Sequence, residues 1–242
     1  LTPGPFSDKN GESEEAPSGM ISTTDIPFRH IAIEGAPKSQ KTKLTQILGP
    51  LLGGRVVLDR ADNPYLKDFY DEKEGASFLS QLVFLVNRYH QQLRLSQRNL
   101  FEERVICDYL FEKDKIYAYQ TLGDDELVVY ERIYGILTER IPRPDMVIYL
   151  QISLPTLLKR IARDGSPMEK NISEKYLGDL VEAFDYFFFN YQATPLLVVK
   201  ADEIDLTREE EISDIVDKVA QIKKGPLFYV PQSFAQKDPR KK

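Results

Sequence analysis

Five short runs of consecutive apolar residues punctuate the chain, each closed by a charged or turn-forming residue. His30 to Glu34 (HIAIE), Arg55 to Leu58 (RVVL), Arg104 to Cys107 (RVIC), Met146 to Leu150 (MVIYL) and Leu196 to Val199 (LLVV) read as strands covered on both faces. Between them the apolar positions recur at helical spacing. Leu44, Ile47 and Leu48 mark one face of a helix that starts at Lys41-Thr42, and Leu66 to Tyr70 suits a short helix after the Asp62-Asn63-Pro64-Tyr65 turn. From Ser77 to Leu95, Phe78, Leu82, Leu85, Val86 and Tyr89 line one side of a long helix, with Gln81, Arg88 and Gln92 on a neighbouring face. Further helices are expected over 113–119, 124–140 with Asp124 as N-cap, Ser153 to Arg163, Ser173 to about Asn190, and Thr207 to Lys223.

Strands that alternate with helices in this way predict an α/β fold: a five-stranded parallel sheet with helices on both faces. The expected organisation is a disordered tail over 1–27, one domain over 28–224, and a loose tail over 225–242, which carries Pro226, Pro231 and Pro239. In a parallel sheet the loops that leave the strands gather at their C-terminal ends. Gly35, Asp59 and Asp108 each follow a strand directly, so the pattern places them around one crevice.

Composition narrows the classes. The chain has 242 residues, 42% hydrophobic and 29% charged, with a net charge of −6. That balance describes a globular domain and argues against a nucleic-acid-coating surface. One cysteine, Cys107, leaves no internal disulfide, and two histidines, His30 and His90, argue against a histidine metal site. No apolar run is long enough for a membrane span. The N-terminus lacks a signal-peptide core and an initiator Met, so a processed or trimmed end is expected, in the cytoplasm or another reducing compartment.

The candidate chemistry begins at the first strand. Strand, loop, then Lys41-Thr42 at a helix start is the layout of a phosphate-binding loop, in which Gly35 opens the loop, the lysine reaches the phosphates and the hydroxyl holds Mg²⁺. The pattern has a second glycine before the lysine; here that position is Gln40. An ordinary strand-to-helix turn is the alternative reading.

Several separated blocks then resemble the deoxynucleoside kinases, especially the bacterial purine-type members. They are Asp62 to Tyr70 (DNPYLKDFY), Phe78 to Gln92, Cys107 to Phe111 (CDYLF), Arg143 to Leu150 (RPDMVIYL) and Leu157 to Ile161 (LLKRI), in a resemblance covering about 28–223. It implies a P-loop kinase fold with a short lid, transfer of the ATP γ-phosphoryl to the 5′-hydroxyl of a purine deoxynucleoside, dependence on Mg²⁺, and a homodimer. It also implies roles. Tyr70 matches a tyrosine at the sugar 3′-hydroxyl, Gln81 a glutamine that reads the base edge, and Arg88 an arginine near the base and the reaction centre. Asp108 matches the acid ending the third strand, Glu169 a lid glutamate on the sugar, and Arg160 a lid arginine, with Arg163 the remaining, displaced one. The general-base position falls on Leu58 in a gapless alignment and on Asp59 with a shift of one.

The departures cluster on the phosphate side: Gln40 in the loop, Asp59 in place of a glutamate, and Asp164 and Ser166 flanking Gly165 where further arginines are usual. A catalytically impaired kinase-fold protein, acting as a nucleotide sensor or as a subunit alongside partner proteins, is therefore the second reading, and a nucleoside monophosphate kinase the third. Lys38, inside the loop, reads as a phosphate cation or a plain surface lysine, the second being favoured, Cys107 as a small buried residue, and Phe187-Phe188-Phe189 as core or a subunit contact.

Overall fold

A computed structural model of the protein describes residues 26–60, 62–96 and 104–231. The tail expected over 1–27 therefore lies outside the described residues except at its end, where Ile26 is already buried in the core. The chain runs β1 (His30–Glu34), α1 (Lys41–Leu51), β2 (Gly54–Val57), α2 (Leu66–Tyr70), α3 (Ala76–Ser96) and β3 (Arg104–Cys107). It continues through α4 (Lys113–Thr121), α5 (Asp124–Thr138), β4 (Met146–Gln151), α6 (Leu154–Asp164), α7 (Pro167–Lys170), α8 (Glu174–Phe189), β5 (Leu196–Lys200), α9 (Glu209–Gln221) and β6 (Pro226–Tyr229).

The five predicted strands form in a parallel sheet with the order β2-β3-β1-β4-β5-β6. Each inner strand feeds two cores by alternation. Ile31 and Ile33 of β1, Ile148 of β4 and Leu197 and Val199 of β5 pack with α1 and α9 through Leu44, Leu48 and Ile215. The intervening Ala32, Val147, Tyr149, Leu196 and Val198 point the other way, onto Leu157 of α6 and Leu180, Phe184 and Phe188 of α8. Burial on both faces is why the central positions of these strands are apolar. β1 sits between β3 and β4, with Ile31 opposite Ile106 on one side and Ala32 opposite Val147 on the other. The strand order reverses there, which opens a crevice beyond the C-terminal end of β1.

The sheet has six strands, not five. Pro226–Tyr229, expected within a loose tail, pairs in parallel with β5, with Leu196 opposite Pro226 and Val199 opposite Tyr229. Its prolines misled the sequence reading, but proline is tolerated at the start of an edge strand, where no ladder donor is needed. The Tyr229 hydroxyl, 3.0 Å from Asp214, fastens the strand to α9. Two local details also differ. Gly123, not Asp124, is the N-cap of α5. The break at Gly165-Ser166-Pro167 gives way to the short α7, whose N-cap Ser166 takes the Glu169 amide. Ser153 and Ser173 cap α6 and α8 as expected. Cys107 is fully buried and Phe188 is core, while Phe189 is exposed.

Candidate active site

The turn from β1 into α1 is built around two residues in the left-handed backbone region, Lys38 with φ +60° and Gln40 with φ +74°. Glycine is the usual occupant of such positions. Both positions thus take the backbone region a glycine would take, although neither is glycine. Gly35 cannot vary in the same way: a Cβ there would lie 2.6 Å from the Leu150 carbonyl and 2.6 Å from Ser39 Oγ. Lys41 folds back, its Nζ 2.8 Å from the Gly35 carbonyl and 3.2 Å from Glu34 Oε1. Thr42 Oγ1 donates to Asp108 Oδ2 at 2.6 Å, and Asp108 Oδ1 accepts the Asp59 amide at 2.5 Å. The residues that follow β1, β2 and β3 are thus joined directly.

Behind them lies a buried charge network. Arg88 of α3 grips Asp59 with two nitrogens, Nε at 2.9 Å and Nη2 at 2.8 Å, and its third nitrogen bonds Asp114. Lys113, the first residue of α4, puts its ammonium 2.6 Å from Asp59 Oδ2 and 3.8 Å from Glu34 Oε2. Glu34 also accepts the Gly35 and Leu110 amides, at 2.9 Å each. Burial alone would raise the Asp59 pKa; Lys113 and Arg88 outweigh it and hold the carboxyl far below the usual range. Asp114 lies deeper, and there burial prevails over Arg88 and Lys113 and pushes the carboxyl up to about 6.

These groups form one end of a cavity of about 450 Å³, and Tyr70, Gln81, Tyr117, Glu169 and Tyr176 line the rest of it. Gln81 is almost completely buried. The Thr121 hydroxyl donates to the Tyr117 carbonyl at 2.9 Å and so accepts from Gln81 Nε2 at 3.1 Å. That arrangement fixes the amide and leaves Gln81 Oε1 buried without a partner. An unpaired buried carbonyl costs about 1–3 kcal/mol. Burial, and then the charge of Glu169, raise the Tyr70 pKa, so its phenol stays a donor.

The cavity brings together Lys41, Thr42, Asp59, Tyr70, Gln81, Arg88, Asp108 and Glu169, with Gly35 at its edge through Lys41. It does not take in the two lid arginines. Arg160 is spent on carbonyls, those of Ala201 at 2.7 Å and Lys38 at 2.8 Å. Arg163 pairs with Asp164 at 2.7 Å on the exposed side of α6. Arg88 lies in the cavity beside Asp59, and all three of its nitrogens serve Asp59 and Asp114. Sequence reasoning missed Glu34 and Lys113. The first had a signal, a lone carboxylate at the end of an apolar strand; the second sits in a charged stretch, EKDK, with nothing to single it out. Lys38, read as a surface lysine, instead bonds both oxygens of Glu169 at 3.0 Å.

The donor set suits a hard cation. Thr42 and Asp108 offer a hydroxyl and a carboxylate at the start of α1, and Glu34, Asp59, Asp108 and Asp114 exceed Lys41, Arg88 and Lys113 by one charge. Among the described residues no cluster of three or more His, Cys, Asp or Glu side chains could hold a metal alone. Mg²⁺ is ordinarily held by one or two carboxylates together with substrate phosphates, so this arrangement fits it.

A strand-loop-helix turn of phosphate-loop layout at the switch point of a parallel sheet, beside a cavity lined by carboxylates, is the architecture of a P-loop kinase fold. The family model described as "Deoxynucleoside kinase" matches residues 31–224. The chain belongs to the deoxynucleoside kinase family. It is 39% identical over 176 residues to the deoxyguanosine kinase of Bacillus subtilis, covering 72% of this chain and 84% of that protein. It is 29% identical over 199 residues to the deoxyadenosine/deoxycytidine kinase of the same organism, covering 79% and 92%. Among solved structures, deoxyadenosine kinase from M. mycoides with bound dATP superposes with a TM-score of 0.68 at 25% identity, covering 78% of this chain and 98% of that one. Among the described residues no helix is long and apolar enough to cross a membrane.

Proposed function

We propose that the chain is a working deoxynucleoside kinase that transfers the ATP γ-phosphoryl to the 5′-hydroxyl of a purine deoxynucleoside. One observation carries the proposal. Gln81, whose Oε1 is buried without a partner, lines the same cavity that holds Tyr70 and Glu169 and ends at Lys41, Thr42 and Asp59. In this reading the base donates an N–H to Gln81, Tyr70 and Glu169 share the sugar 3′-hydroxyl, and Asp59 receives the 5′-hydroxyl. Lys41 serves the phosphates, and Thr42 with Asp108 holds Mg²⁺, which supplies charge neutralisation on the phosphates when bound.

Asp59 is too acidic to be a strong base, so it orients the 5′-hydroxyl and takes the proton late. A loose phosphoryl-transfer transition state asks for little more. The purine preference draws support from the likeness to the B. subtilis deoxyguanosine kinase. The homodimer draws support from exposed apolar side chains on two helices: Val128, Val129 and Ile136 of α5, and Tyr186 and Phe189 of α8.

Incubating the protein with ATP, Mg²⁺ and each deoxynucleoside, and measuring the monophosphate formed, tests the reaction. Deoxyguanosine or deoxyadenosine should be consumed fastest, and Lys41→Ala should abolish the signal. The impaired-kinase reading rests on Arg160 and Arg163 lying away from the cavity. Calorimetry that finds a bound deoxynucleoside and no turnover would favour it.

A further inference from the structure

Lys38 stands out by its backbone. A residue with a Cβ held at φ +60° costs about 1–2 kcal/mol, and such strain persists only where the surroundings impose it. Here both ends of the residue are tied to the lid. Arg160 Nη1 donates to the Lys38 carbonyl at 2.8 Å. At the other end Nζ lies 3.0 Å from each Glu169 oxygen and 3.4 Å from the Asp164 carbonyl. The residue lies three positions before Lys41, in the turn between β1 and α1. Its partner Glu169 lines the acceptor cavity. Lys38 thus joins the phosphate loop to the lid at the border of the acceptor site.

We propose that Lys38 is a phosphate-binding catalytic cation, which leaves Glu169 when both substrates are present and turns its ammonium onto the transferring phosphoryl. This rests on the kinase reading above. The lid lacks an arginine for that task, since Arg163 faces Asp164 and Arg160 is committed to carbonyls. A part-exposed ion pair contributes about 1 kcal/mol or less, so the Lys38–Glu169 pair is cheap to exchange for a more highly charged phosphate. Lysine suits the move, being a point charge on a flexible four-carbon stem. Glu169 is not stranded when it loses the lysine, because the Ser166 amide still donates to its Oε2 at 2.7 Å. The sugar hydroxyl then takes the vacated oxygen. In the transfer itself a bond forms between the acceptor 5′-oxygen and the γ-phosphorus. The bond to the β–γ bridging oxygen breaks with its electron pair, ADP leaves, and the hydroxyl proton passes to Asp59. Lys38 carries no proton or electron; it offsets the charge on the moving group.

The test compares the full-length wild type with Lys38→Met, Lys38→Arg, Glu169→Gln and the Met/Gln double variant. Calorimetry with ATP–Mg²⁺ and, separately, with deoxyguanosine supplies binding, and a turnover assay supplies kcat. Lys38→Met should weaken ATP binding about tenfold and lower kcat about 10²-fold, as for loss of one preorganised charge donor. Its deoxyguanosine affinity should stay within about threefold, and Lys38→Arg should recover most of kcat. Thermal unfolding of each variant verifies folding, and the methionine keeps the same backbone demand as the lysine. The proposal is overturned if Lys38→Met leaves ATP binding and kcat intact and weakens only deoxyguanosine, to the same degree as Glu169→Gln and the double variant. Lys38 would then be a lid strut. A wild type that turns over while Lys38→Met is unchanged overturns this inference alone. A wild type that binds neither ligand overturns the kinase reading and this inference together.

Discussion

The two ends of the cavity are held by different forces. At the acceptor end, Gln81 sits on a long helix and Tyr70 on a short one, beside Tyr117, Tyr176 and Leu180, and packing fixes their positions. At the phosphate end, a loop carries two strained residues and two lysines, each lysine closed on a carboxylate, Lys41 on Glu34 and Lys38 on Glu169. In the proposed reading the acceptor end is largely preformed for a ligand, with only Glu169 to be released from Lys38. The phosphate end holds its charges neutralised and must exchange partners to receive one. That contrast explains why the sequence looks damaged only on one side: a packed site shows its residues at fixed spacing, whereas a loop can reach a working shape through substitutes.

Asp59 is where the two ends meet, and its loss should have the largest effect. Asp59→Asn should lower kcat by about 10²–10⁴-fold while leaving deoxynucleoside affinity nearly intact. It also leaves Arg88 and Lys113 buried with one anion fewer, at a cost of about 3–5 kcal/mol in stability. Asp59→Glu restores the charge and should regain part of both. Steady-state kinetics with a parallel denaturant titration separates the two losses. Next in size is the acceptor end alone. Gln81→Leu should weaken deoxynucleoside binding by about 1–3 kcal/mol and leave ATP–Mg²⁺ binding unchanged. An equal loss for both ligands would show that the two ends are not separable.

A smaller effect should appear with pH. Asp59 and Asp114 share Arg88 and respond to pH in opposite senses. Asp59, with its pKa lowered, adds stability above its ordinary value of 3.8 that is lost as the pH falls. Asp114, raised from 3.8 to about 6, favours folding below 3.8, and that contribution is lost as the pH rises through about 6. Above that point Arg88 is clamped from both sides; below it, only Asp59 holds it. kcat/KM should therefore rise across an acid limb near pH 6, and Asp114→Asn should remove the limb. A limb that persists in Asp114→Asn would assign it elsewhere.

Much of this arrangement was legible in the sequence. Ile31, Ile148 and Leu197 announced buried parallel strands, and the rule that loops gather at strand ends put Gly35, Asp59 and Asp108 together from the pattern alone. The spacing of Gln81 and Arg88 gave one helix face, but not the partners, the carboxylates for Arg88 and the Thr121 hydroxyl for Gln81. That choice depends on Asp114 and Thr121, which arrive from α4. Lys113 and Lys38 were illegible for a related reason. A lysine in a charged or loop segment looks the same whether it is solvated or bonded, and only the fold brings Asp59 or Glu169 to it. β6 was hidden by proline, whose missing N–H matters inside a sheet and not at the start of an edge strand.

The smallest predicted effect bears most directly on whether the phosphate end is intact. Gln40 occupies the left-handed region at φ +74° as the N-cap of α1, without a side-chain capping bond. Gln40→Gly removes the steric cost of that conformation, about 1–2 kcal/mol, and adds back about 0.5–1 kcal/mol of chain entropy in the unfolded state. A net gain of about 0.5–1 kcal/mol is expected, which for a domain of this size raises Tm by about 1–4 °C. The loop already has the backbone shape it would have with glycine, so ATP–Mg²⁺ affinity should improve only as far as the glutamine side chain stands in the phosphate's way. A severalfold gain fits a side chain at the rim. A gain of about 10³-fold would mean that Gln40 fills the phosphate site itself, and the phosphate end would then have to be read as closed, with the chain moved to the impaired branch of its family.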